Sequence, residues 1–312
     1  MGNMRLLGIS AASSMALMSC GSSMDTLPHA SFSQASNSSN TLVSLFDGQP
    51  IRSTSIVTRQ NTVSGGTTLL SDDTTYSYDS DSQILMVRMG DTVRSFDLSG
   101  NNSDFIVQTD GAYSNNGVPF YGFFVQGGDL NEFVTGSGSY KYLIPIRTYT
   151  SSDDDRYTDR SYGIAGLETP VSQMPRTNAV VNYTGGFQVE NFTKGSPDLN
   201  ARTAYFGALS LDTNFGNGLI SNGLLTVNIQ NINNTGNVSA NGTFDLAPTV
   251  LSGNGFTTTI SSNVPGLSIN PGSEVTGKFF GDIAQEVGGT IYYEGDLFGT
   301  PVTTPGFFSA TQ

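Results

Sequence analysis

Gly277-Lys278-Phe279-Phe280-Gly281-Asp282-Ile283-Ala284-Gln285-Glu286-Val287-Gly288-Gly289-Thr290-Ile291 decides the reading of this chain. Two apolar, glycine-punctuated runs, Glu274–Gly281 and Val287–Asp296, flank a short polar break. Each run has the length and composition of a strand. Gly281 and Ala284 are small enough for a tight strand-to-strand turn, since bulky side chains resist the backbone angles that such turns use. The stretch therefore predicts an antiparallel hairpin.

The same pattern extends on both sides. Upstream lie Thr177–Val189, Thr203–Asp212, Gly223–Asn231, Gly236–Leu246 and Gly255–Ser261; downstream lies Gly306–Ala310. With the hairpin this makes eight segments. In the third, Leu225, Val227 and Ile229 face one way, while Thr226, Asn228 and Gln230 face the other. In the fourth, Val238, Ala240, Phe244 and Leu246 form an apolar row against Asn237, Ser239, Asn241, Thr243 and Asp245. A period of two is the strand period. Eight antiparallel strands can bury such a face by closing into a barrel, which also removes exposed sheet edges. Gly207, Gly242, Gly277 and Gly281 fit the sharp coiling of a small barrel. The polar face is rich in Thr and Asn, so the barrel is read as soluble, apolar face inward. Eight strands leave room for little beyond their own side chains.

The first half is strand-rich but less regular. Candidates are Ile51–Thr58, Thr74–Tyr78, Ile84–Met89, Thr92–Leu98, Asp104–Gln108, Phe120–Gln126 and Tyr140–Tyr149, with a short helix at Leu130–Phe133. Ser151–Arg160 (SSDDDRYTDR) reads as a solvated acidic loop, because Asp153, Asp154, Asp155 and Asp159 lack the alternating ligand spacing of a calcium loop. The fold class is all-β: a strand-rich N-terminal handle domain, 42–162, followed by a soluble antiparallel eight-stranded β-barrel, 163–312.

The N-terminus reads as an address. One basic residue, Arg5, precedes an uncharged, mostly apolar run from Leu6 to Met18, too short to span a membrane. It has the proportions of a secretory signal, 1–19. The run ends in Leu17-Met18-Ser19-Cys20-Gly21, which resembles a bacterial lipobox. Cys20 is then the lipid attachment site. Gly21 rather than Asp after the cysteine resembles an outer-membrane address in Gram-negative lipoproteins. Residues 20–41 are a Ser- and Asn-rich flexible tether behind the lipidated cysteine.

Composition narrows the chemistry. Cys20 is the one thiol and His29 the one imidazole. Cys/His zinc sites and Ser-His-Asp or Cys-His centres therefore have no residues in the folded body. His29 lies in the tether and reads as inert. Twenty-six acidic against 13 basic residues give a net charge of −13. Phosphate backbones would be repelled, so nucleic acid is not an expected partner. No catalytic, cofactor-binding or metal-binding residue is assigned, and the chain reads as a non-enzyme.

The C-terminal pattern also resembles a known family. Gly277–Ile291 resembles the G-x-F-[YF]-G-P-x-A-x-E-x-G-G-x-F signature of the transferrin-binding protein B family barrel. Asn178–Gly185 (NAVVNYTG) resembles its opening G-x-A-x-Y-x-G strand, with Asn178 where the first Gly is usual. Gly306–Ala310 resembles the closing G-x-F-x-A strand. The resemblance covers residues 163–312. Asp282 stands where Pro is usual and Ile291 where Phe is usual, which marks a distant member. The resemblance implies a handle-plus-barrel lipoprotein on the outer membrane, at the cell surface or its periplasmic face. It also implies a protein or iron- or haem-bearing ligand bound through loops, and an outer-membrane receptor or translocator as a further partner. Full transferrin receptors of this family have two such lobes, and this chain has room for one.

Two other readings compete. Haem bound by this chain would need a Tyr or Met axial ligand, since the folded body has no His or Cys. A carboxylate glycosidase would draw on Glu274, Asp282, Glu286, Glu294 and Asp296. The anchor gives the first testable expectation. Replacing Cys20 by Ala should release the protein from membranes or leave its precursor unprocessed; unchanged membrane partitioning and processing would refute the lipid assignment.

Overall fold

The computed structural model describes residues 51–61, 63–79, 81–82, 84–89, 92–97, 112–115, 118–124, 142–151, 157–196, 202–230 and 241–312. Cys20, His29, Asp104–Gln108 and Leu130–Phe133 lie outside them, as do the side chains of Ile229, Val238 and Ala240.

The first sheet contains β1 (Ile51–Asn61), β2 (Thr67–Asp79), β3 (Ile84–Met89), β4 (Thr92–Asp97), β5 (Ala112–Asn115), β6 (Val118–Phe124), β7 (Leu143–Ser151) and β8 (Tyr157–Gly166). They are ordered β4-β3-β2-β1-β8-β7-β6-β5, all antiparallel. The second sheet contains β9 (Val180–Thr193), β10 (Arg202–Asn214), β11 (Leu219–Gln230), β12 (Asn241–Leu246), β13 (Thr249–Val250), β14 (Gly255–Ser262), β15 (Leu267–Ile269), β16 (Glu274–Phe280), β17 (Glu286–Leu297) and β18 (Thr300–Thr311). Eight of these pair in a ring: β9-β10-β11-β12-β14-β16-β17-β18 and back to β9. The closed antiparallel barrel expected from the alternation is present, and its eight strands are the eight predicted segments.

Side chains fill the barrel. Phe279 sits 5.2 Å from Phe215, 5.5 Å from Tyr183 and 6.3 Å from Phe256, ring centre to ring centre. A second group surrounds Phe244, with Tyr293 at 5.7 Å, Phe187 at 5.9 Å and Tyr205 at 6.2 Å. Leu225, Val227 and Leu246 point into the same core. Gly277 and Gly289 face each other across β16 and β17. A Cβ on either would press into the Phe308 ring, at 2.9 and 2.8 Å, so these glycines make the space that the rings occupy.

The handle packs on the outside of β9, β17 and β18. Tyr142, Leu143, Tyr162 and Ile164 meet Phe192, Phe280 and Phe307 there in a second apolar cluster. Gly288 lies beneath it, where a Cβ would stand 3.1 Å from Ile164 and 3.2 Å from Leu143. Two buried carboxylates in this seam have donors. Glu286 is 4% exposed, and its carboxylate accepts the backbone N–H groups of Tyr142 and Leu143 at 2.9 and 3.0 Å. Glu190 accepts the Tyr162 hydroxyl at 2.8 Å.

One reading from the sequence is corrected. Ser151–Arg160 is not a loop throughout, because its end belongs to β8, which pairs with both β1 and β7. Arg160 is buried: its guanidinium donates to Gln60 Oε1 at 2.9 Å and lies 4.4 Å from the Phe192 ring centre. A cation on an outer strand face looks solvated until a second domain covers it.

The seam makes its own prediction. Glu286→Ala deprives the Tyr142 and Leu143 N–H groups of their acceptor in a buried site. At about 1–3 kcal/mol per buried unsatisfied group, the unfolding midpoint should fall clearly. Protease should also cut first near Leu143. A variant as stable and as resistant as the parent would show that Glu286 is dispensable.

Candidate ligand-binding rim

β1 starts beside the end of β8, since Ser53 faces Ala165. It runs the length of the barrel to a turn at its far end. There Asn61 Oδ1 accepts the N–H groups of Val63 and Ser64, both at 2.9 Å. Gly65, at φ +70°, lies against barrel backbone, and the Gly195 N–H donates to its carbonyl at 3.0 Å. A Cβ on Gly65 would fall 2.3 Å from Gly195, so contact this close admits only glycine. Gln60 Nε2 adds a bond to the Ser196 carbonyl at 3.3 Å. The handle turn and the β9–β10 turn are thus one surface.

The surface continues to the β17–β18 turn. The Lys194 N–H donates to the Pro301 carbonyl at 2.9 Å, and Lys194 Nζ pairs with Glu294 at 2.8 Å. Leu297 faces Thr300, which leaves Phe298 and Gly299 as a two-residue turn with φ +51° and +82°. Positive φ at both positions is the twist-matched hairpin geometry that Asn and Gly normally fill. Phe298 adopts it at a cost, since Cβ crowds the backbone there. Its N–H donates to the Gly266 carbonyl at 2.7 Å, and its ring lies over Gly266, where a Cβ would come within 2.1 Å. Phe298 nevertheless stays 73% exposed as a residue, and Val63 75%. Among the described residues these are the two most exposed large apolar side chains, and both stand on this rim.

The acids that suggested a glycosidase lie in different surroundings. Glu286 is enclosed in the seam, and Glu274 and Asp282 are exposed at the two ends of the β16 region. Glu286 and Glu294 are eight residues apart on one strand, or about 26 Å at about 3.3 Å per residue. Glu294 and Asp296 share a face. However, hydrogen bonding from Lys194 holds the Glu294 carboxyl below its usual range, the opposite of what a general acid needs. Asp296 caps the Phe298 turn by accepting the Gly299 N–H.

No family model matches the chain, and no curated protein matches it. Solved structures do. Intact Ap-TbpB, with N and C lobes, is 14% identical with a TM-score of 0.46, over 83% of this chain and 46% of that one. Transferrin binding protein B from Haemophilus parasuis Hp5 is 15% identical with a TM-score of 0.44, over 83% and 45%. HpuA from Kingella denitrificans, solved in complex with human haemoglobin, is 14% identical with a TM-score of 0.39, over 85% and 87%. The chain spans less than half the length of the first two.

The tyrosines bear on haem. Burial raises the Tyr183 hydroxyl, which donates to the Ala284 carbonyl, and raises Tyr293 well above its usual range, where it donates to Asn191 at 2.7 Å. Burial pushes Tyr205 up to about 12; burial, then the Glu294 charge, pushes Tyr292 up to about 12. A tyrosine ligates iron as phenolate, so all four environments oppose that role. They also predict a pH dependence. A hydroxyl titrating near 10 in the unfolded chain and near 12 when folded favours the fold below pH 10. That contribution is lost as pH rises through 12. Unfolding midpoints should be flat up to about pH 10 and then decline, with phenolate absorbance appearing late. Phenolate absorbance complete near pH 10 in the folded protein would contradict these environments.

Proposed function

We propose that the chain is an outer-membrane lipoprotein, anchored through Cys20, that binds a protein or iron-bearing ligand through the rim at the far end of the barrel, without catalysis. The observation that carries this reading is the rim itself. Val63 from the handle and Phe298 from the barrel stand exposed on turns that are otherwise fixed by backbone contacts. Strained backbone and exposed aromatics both concentrate at functional surfaces. The filled barrel supports binding at its loops rather than in its interior. The family resemblance of Gly277–Ile291 supports a host iron protein as the class of partner. The anchor rests on the lipobox-like run before Cys20.

The test is binding of transferrin and of haemoglobin to the immobilised mature chain. If either binds, Phe298→Ala and Val63→Asp should each weaken it about tenfold or more, the scale of an interface hot spot. Thermal unfolding should be unchanged or, for Phe298→Gly, slightly improved. Binding that survives both substitutions would move the site off the rim. Absence of binding to both proteins would refute the iron-protein reading.

A further inference from the structure

At the barrel end opposite the rim, three complementary side chains converge from separate parts of the chain. Glu168 lies just after β8, Asn254 just before β14, and Lys278 on β16. Lys278 Nζ donates to Glu168 Oε1 at 2.6 Å, and Asn254 Nδ2 donates to Glu168 Oε2 at 3.2 Å. One carboxylate therefore holds an amine with one oxygen and a carboxamide with the other. Backbone bonds fix all three. Gly255 lies opposite Lys278, the Phe279 N–H donates to the Asn254 carbonyl at 2.9 Å, and Glu168 bridges to Phe280. Gly255 leaves room for the lysine stem, whose Cγ would be 3.2 Å from a Cβ there. The charged groups are partly shielded, with side-chain exposures of 33% for Lys278 and 28% for Glu168.

We propose that this is a modification site, at which Lys278 and Asn254 become joined by an intramolecular isopeptide bond with Glu168 as the proton carrier. Neutral Nζ attacks Cγ of Asn254. Glu168 takes the proton lost from Nζ and delivers it to the departing amide nitrogen. The Cγ–Nδ2 bond breaks, ammonia leaves, and a Cγ–Nζ amide forms. The exchange needs no oxidant, reductant or metal. Attack requires the two atoms to approach to about 3–3.5 Å. The two side chains already end on one carboxylate, and rotation about their torsions is the motion the step requires. An ion pair alone would use Lys278 and Glu168; the carboxamide on the second oxygen is what adds an electrophile. Only neutral amine reacts, so conversion grows with alkalinity and time. The product ties the turn before β14 to β16 covalently.

The test is the intact mass and peptide map of the mature chain, incubated at neutral and at alkaline pH. The expected result is a loss of one ammonia together with a branched peptide joining Lys278 to Asn254, more of it at alkaline pH. Lys278→Arg keeps an ion pair to Glu168 but should abolish the branch, and Glu168→Gln should slow it severalfold. Circular dichroism of both variants checks that they fold. Ammonia loss without the branch indicates a succinimide at Asn254-Gly255 and overturns the proposal. Unmodified Lys278 and Asn254 peptides under all conditions overturn it as well.

Discussion

A carboxylate buried between two domains needs donors, and the fold depends on how Glu286 finds them. It projects outward from the first residue of β17, where a free-standing barrel would leave it in water. The handle instead lays Tyr142 and Leu143 over it, and the two backbone N–H groups that begin β7 satisfy it. Charged acceptors form the stronger class of hydrogen bond, and a buried one without donors is costly. The seam must therefore close with the handle in one register. Neighbouring residues serve the same contact. Gly288 lets Ile164 and Leu143 approach the wall, and Gly289, one residue on, opens the opposite face for the Phe308 ring. Ala284 takes a left-handed turn at φ +60° and offers its carbonyl to Tyr183 and Gln312. The A-x-E-x-G-G spacing thus describes one hairpin that shapes the core on one side and receives a second domain on the other.

Filling the barrel constrains where recognition can occur. The Phe279 and Phe244 groups occupy its interior from end to end. Among its inward polar groups, Asn191 Oδ1 accepts both the Tyr293 and Thr304 hydroxyls. What remains are the turns. Among the described ones, those of the handle, β9 and β18 are tied to one another across the domain boundary, through Gly195 to Gly65 and Lys194 to Pro301. Contacts of this kind lower the ordering entropy that a bound partner at the proposed rim would have to overcome.

Period-two alternation made the barrel legible, because on β11 and β12 one face is core and the other is water. On β17 and β18 that contrast disappears. Phe307 and Phe308, or Glu286 and Val287, are both buried, the first member of each pair under the handle and the second in the core. Alternation cannot distinguish such a doubly covered wall, so the domain seam was invisible in the sequence. β8 was hidden for the same reason: Asp159-Arg160 looks solvated, and only Phe192 and Gln60 on other strands make the site suit a guanidinium. The rim was equally unreadable. Phe298-Gly299 carries no Asn-Gly or Asp-Gly turn signal, and the placement of the Phe298 ring depends on Gly266, distant in sequence. The lipobox-like run is different in kind, since the proposed processing would read it as sequence and would need no fold.

The same topology relates the anchor to the rim. β1 begins at one end of the barrel, and the turn that follows it reaches the other. A chain leaving Ile51 toward Cys20 therefore departs from the end opposite Val63 and Phe298. Residues 20–41, read as the tether, would reach about 75 Å when extended at about 3.3–3.6 Å per residue. A tether that long would not itself orient the body. The asymmetry lies in the folded part: pulling on the N-terminus of β1 loads the handle sheet, whose grip on the barrel runs through the Glu286 seam and the Gly65–Gly195 contact. The second of these contacts also shapes the rim. Any force or fluctuation that loosened the handle would therefore alter the rim geometry, so binding at the proposed rim would depend on a seam that touches no ligand.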